Sequence, residues 1–105
     1  MITDEQVQQA LDRLNAPSEA AHAHGRRVKA EHMLKVIKSL QMKKHDGLSV
    51  AAQEREALSS SPYYDQLDEV VKASIDDLLY RSKMEADKAT IEVYRTQQAN
   101  QRYNL

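Results

Sequence analysis

The feature that most constrains the fold of this chain is Ser61-Pro62 followed by an unbroken run to the C-terminus that contains no further Gly or Pro. Proline suits the first helical position because its missing N–H would have no partner there, and nothing after it interrupts a helix. The run predicts one helix from Pro62 to near Tyr103, roughly 60 Å long at 1.5 Å per residue.

The rest of the chain reads the same way. Gly and Pro number two each among 105 residues, so the turn residues that an all-β fold needs every few positions are missing. Thr3-Asp4-Glu5-Gln6 has the form of a capping box and opens the apolar series Val7, Ala10, Leu11 and Leu14, which predicts a short first helix. Asn15-Ala16-Pro17-Ser18 breaks it. A second helix, Ser18 to His45, follows, with Ala30, Met33, Leu34, Ile37, Leu40 and Gln41 on one face and Gly47 placed to cap its end. Ser49 starts a short third helix, Val50 to Leu58, before Ser59-Ser60-Ser61.

The expected fold is therefore all-α, an antiparallel hairpin of two long helices with one or two short ones, forming a single helical domain over residues 1–105. At about 40 Å the second helix is shorter than the last, so beyond about Ala89 the last helix outruns it. Ile91, Val93, Tyr94 and Ala99 then need cover from the first helix or from another chain. The expected inner face of the last helix is Leu67, Val71, Ile75, Leu78, Ser82, Ala86, Ala89 and Val93, whose small middle members allow close helix approach. A flanking stripe of Val70, Tyr80, Met84, Ile91 and Tyr94 widens the apolar surface. Together with Val93 it is the candidate oligomer or partner interface, a dimer being favoured. Asp77, Arg81 and Lys88 interrupt the positions that a long heptad seam would use.

No catalytic or cofactor constellation can be assembled. Cys, Phe and Trp are absent, which removes thiolate nucleophiles, thiolate zinc sites and disulfides. Glu19 and His22 have the spacing of one half of a carboxylate–histidine metal motif, but there is no second copy. Asp76-Asp77 and Asp68-Glu69 diverge on a helix and read as solvated acids. The chain is expected to be no enzyme and to hold no cofactor or metal. The acidic, polar opening and the lack of a long apolar run point to a cytoplasmic protein without a membrane anchor.

Net charge is −1, so the total favours neither nucleic acid nor an anionic membrane, but the charges are segregated. Arg26, Arg27, Lys29, Lys35, Lys38, Lys43 and Lys44 crowd the second helix, while acids dominate the last. The simpler account is flank attraction between the two helices; the sharper one is a basic surface for nucleic acid or an acidic partner. The final stretch, Arg95 to Leu105, has no acid, and Arg95, Gln98 and Arg102 share one helical face able to meet phosphate or carboxylate.

Three segments carry a resemblance: Gln53-Glu54-Arg55-Glu56-Ala57, Pro62-Tyr63-Tyr64 at the head of a long helix, and Ile91-Glu92-Val93-Tyr94-Arg95-Thr96-Gln97-Gln98-Ala99-Asn100-Gln101-Arg102. They resemble a group of small tailed-bacteriophage proteins of unassigned function, over roughly the second half of the chain. The resemblance implies an accessory role in phage DNA replication or recombination, performed in the host cytoplasm. The leading expectation is a non-enzymatic helical interaction protein with a protein partner; the runner-up is a nucleic-acid-binding accessory protein.

Overall fold

The computed structural model describes residues 1–16 and 18–103, with Ser18 described by its backbone alone. Among them are four helices and no strand: α1 (Asp4–Asn15), α2 (Ser18–Lys43), α3 (Val50–Leu58) and α4 (Ser61–Tyr103). The all-α expectation holds, including the 26-residue and 43-residue long helices. The break expected at Pro17 and the cap expected from the Ser18 side chain lie outside the described residues.

Local chemistry explains the helix ends. Thr3 Oγ1 accepts from the Gln6 N–H at 3.2 Å, and the Gln6 side chain accepts from the Thr3 N–H at 2.9 Å, which is the reciprocal capping box. Ser49 Oγ accepts from the Ala52 N–H at 3.2 Å and starts α3 at the expected residue. The serine run does more than separate two helices. Ser59 Oγ donates to the carbonyls of Arg55 and Glu56, and Ser60 Oγ to that of Ala57 at 2.6 Å, so these hydroxyls satisfy the open carbonyls at the end of α3.

Two details differ from expectation. Gly47 does not cap α2 in a left-handed conformation, since no glycine has positive φ. The end of α2 is tightened by the Lys44 and His45 amides, which donate three residues back to the carbonyls of Gln41 and Met42. At the head of α4 the first carbonyl to accept is that of Ser60, from Tyr64 N–H at 3.2 Å. Ser60 therefore takes the cap position and Pro62 the second helical one, where its missing donor still costs nothing.

The residues group into two compact units, His22–Asp77 and a second made of Met1–Ala21 with Leu78–Leu105. In the contiguous unit, Gln66 Nε2 donates to the Ala30 carbonyl at 3.0 Å and Arg27 reaches Asp77, so α2 and α4 run antiparallel. Lys38 Nζ meets Glu54 at 2.8 Å and ties α2 to α3. Ala23 and Ala57 are wholly buried, and Leu34, Ile37, Tyr63, Leu67 and Val70 are half-buried. Of the expected α2 face, Met33 and Leu40 are exposed.

In the discontinuous unit α1 covers the last part of α4. The Ile2 N–H donates to Gln97 at 3.2 Å, the Tyr94 hydroxyl donates to Asp4, and Arg13 meets Asp87, an antiparallel pairing. Ala10 is wholly buried, and Val7, Leu14, Tyr80, Met84, Ile91 and Tyr94 are half-buried. The first helix is thus the cover for Ile91 and Tyr94. Val93 and Ala99 stay exposed.

Candidate functional site

The expected inner face of α4 is turned the other way. Of its eight residues only Leu67 is partly covered; Val71, Ile75, Leu78, Ser82, Ala86, Ala89 and Val93 are all exposed. The covered side runs instead through Tyr63, Val70, Asp77, Met84 and Ile91, seven apart, with Gln66, Ala73, Tyr80, Asp87 and Tyr94 between them. That is a heptad seam, with two aspartates among its members.

Pairing of those aspartates is what makes the seam possible. Asp77 is 4 % exposed and Asp87 7 %. Arg27 Nη1 donates to Asp77 Oδ2 at 2.8 Å, and His24 Nδ1 lies 3.4 Å from the same oxygen. Arg13 grips Asp87 with a fork, Nη2 to Oδ1 at 2.7 Å and Nε to Oδ2 at 3.0 Å. Among the described residues no buried side-chain nitrogen or oxygen lacks a partner. Asp77 is thus buried and paired, not the solvated acid its neighbour Asp76 and the helix pattern predict. The usable signal was its spacing of seven from Val70 and Met84.

The Arg13 hydrogen bonds hold the Asp87 carboxyl below its ordinary value, burial opposing them. A folded-state value below the unfolded one, about 3.9, stabilises the fold above that pH. The gain is lost as pH falls through the folded value. The thermal midpoint of the parent chain should fall steeply below about pH 4, where the two states part. Asp87→Asn should lower the midpoint at pH 7 and flatten the acid limb of a midpoint-against-pH curve; an unchanged limb would remove Asp87 from the account.

The candidate interface residues are therefore placed unequally. Val70, Tyr80, Met84, Ile91 and Tyr94 are half-buried within the chain, and only Val93 is exposed. The open surface is the opposite side of α4. Val71, Ile75, Leu78, Leu79 and Val93 keep 48 to 63 % of their surface in water, and no charged side chain lies on the line of Val71, Ile75, Leu78, Ser82, Ala86, Ala89 and Val93.

The basic set is divided. Arg27 is held by Glu31 at 3.1 Å and Asp77, which raise its pKa, and Lys38 by Glu54, which does the same. Arg26, Lys29, Lys35, Lys43 and Lys44 are exposed, with Lys35 on the opposite side of α2 from Arg26. An open groove of about 490 Å³ brings Arg26, Lys29 and Lys72 together, but Glu69 and Asp76 share its lining, which offsets its attraction for phosphate. Arg95 and Arg102 are exposed and Gln98 half-buried, with Arg95 3.3 Å from Glu92.

Among the described residues no group of three or more His, Asp or Glu could hold a metal ion, and no helix is long and apolar enough to cross a membrane. No family model, curated protein or solved structure matches the chain.

Proposed function

We propose that the chain is a non-enzymatic helical interaction protein, of the phage accessory kind its second half resembles, working in the cytoplasm by presenting the outer face of α4 to another protein surface. The observation that carries this is the row of large aliphatic side chains left about half exposed on one helix while smaller residues fill the cores. Contiguous exposed apolar surface on a water-borne domain marks a contact site. Covering what remains of five such side chains is worth about 1 kcal/mol each, enough for a modest interface once association costs of about 4 kcal/mol or more are met.

A charge in mid-stripe tests it. Leu78→Glu should leave the helix content unchanged, since residue 78 already faces water, yet abolish both self-association by light scattering and capture of any partner by the tagged chain. If the variant and the parent chain behave alike in both assays, the outer face of α4 is not the contact surface.

The second reading, a nucleic-acid accessory protein, draws on the exposed bases of α2 and on the acid-free stretch from Arg95. It expects retention on DNA at low salt with affinity falling steeply as salt rises, and weakened binding in a combined Lys29→Ala, Lys43→Ala, Arg102→Ala variant. Absence of binding at low ionic strength ends it.

A further inference from the structure

The outer stripe of α4 is symmetric in a way that names its occupant. Val71 and Val93 lie eleven residues on either side of Ser82, Ile75 and Ala89 seven, and Leu78 and Ala86 four, so the gaps read the same in both chain directions. Size is not symmetric. The large Ile75 and Leu78 precede the centre, and their mirror positions are the small Ala89 and Ala86.

From this, and resting on the reading of the stripe as a protein contact, we infer that a second copy of the chain covers it, with the two α4 helices antiparallel and related by a twofold axis at Ser82. In that register Ile75 and Leu78 of one helix face Ala89 and Ala86 of the other, the large-to-small alternation by which facing helices interdigitate, and Val71 meets Val93 at each end. Ser82 meets Ser82 at the axis, where two small side chains permit close approach. A twofold interface must be self-complementary, and the stripe meets that condition along its whole length.

A parallel, in-register pair does not. It would set Ile75 against Ile75 and Ala89 against Ala89, crowded at one end and hollow at the other. The flanks also agree with the antiparallel pair. Counted from Ser82, Asp68 of one copy comes level with Thr96 of the other, and Lys72 with Glu92, so neither pairing opposes like charges. Lys83, the cation nearest the axis on that flank, leans over the ring of its own Tyr80 at 5.1 Å from the centroid. Tyr80 is half-buried on the covered side of the helix, so this draws the ammonium away from the seam.

The chain has no cysteine, so single cysteines report the register directly. The full-length chain is made as S82C, I75C and A89C and mildly oxidised, with circular dichroism to confirm helicity. S82C should shift to twice the mass of the chain on a non-reducing gel. I75C and A89C alone should stay single, because their own copies lie about 21 Å apart along the axis. Mixed together, those two should cross-link to each other.

Self-linking by all three would show a parallel pair and overturn the inference. So would a failure of every combination to link, with light scattering giving a monomer. In that last case, partner capture lost in Leu78→Glu would show that the contact surface stands and only its occupant was misassigned; no stripe-dependent capture would end both.

Discussion

Replacing Ala86 by proline should lower the thermal midpoint by roughly 12–24 °C. Ala86 is exposed, so the substitution removes no buried contact. Its cost is in the backbone. Proline deletes the Ala86 N–H bond to the Ser82 carbonyl and drives its ring against that same carbonyl, worth about 3 kcal/mol or more in a helix interior. A domain of this size shifts by about 4–8 °C per kcal/mol. Ala86→Gly, which keeps the donor, should cost only about 1 kcal/mol and separates backbone continuity from the loss of a methyl group. If proline were tolerated, α4 would not be one helix through residue 86, and the alignment of the stripe on either side of Ser82 would fall with it.

Overpacking at Ala57 should give the next largest loss. Ala57 is completely enclosed, as are Ala10 and Ala23, and among the described residues no large side chain is fully buried. Where the only buried apolar residues are alanines, neighbouring backbone lies too close for a longer side chain. Ala57→Leu should therefore destabilise by about 1–3 kcal/mol through displaced helices and strained rotamers. Ala51→Leu, on the exposed side of the same α3, should change stability by less than about 0.5 kcal/mol. Denaturant midpoints of the pair would decide it. Equal midpoints would mean that the space over Ala57 gives way, and that the core is looser than its enclosed alanines imply.

The helix borders were legible because they rest on short-range chemistry. Thr3 with Gln6 and Ser49 with Ala52 form their caps within three residues, and Ser61-Pro62 announces α4 to within one position. The inner face of α4 was not legible. Two apolar stripes run along that helix, and the one with the cleaner aliphatic pattern is the one facing water. The covered stripe contains Asp77 and Asp87, and a local pattern counts each aspartate against burial. Their partners, Arg27 on α2 and Arg13 on α1, are 50 and 74 residues distant, beyond what periodicity can register. The charge segregation gave a partial clue. Flank attraction between α2 and α4 appears at the buried Asp77, which meets Arg27 and His24, and Lys38 turns to α3 instead. Of the proposed interface set, only Val93 belongs to the surface left open.

The discontinuous unit sets an order of events during synthesis. Residues His22–Asp77 are contiguous and hold their own pairing of α2 with α4, so this segment can condense as soon as it has left the ribosome. The opening helix has to wait. Its Arg13, Asp4 and Ile2 bind Asp87, Tyr94 and Gln97, and spanning 74 to 95 intervening residues makes these among the slowest contacts to close. Until the stretch of α4 from Tyr80 to Gln97 is free to pack, Val7, Ala10 and Leu14 have no native surface to cover them.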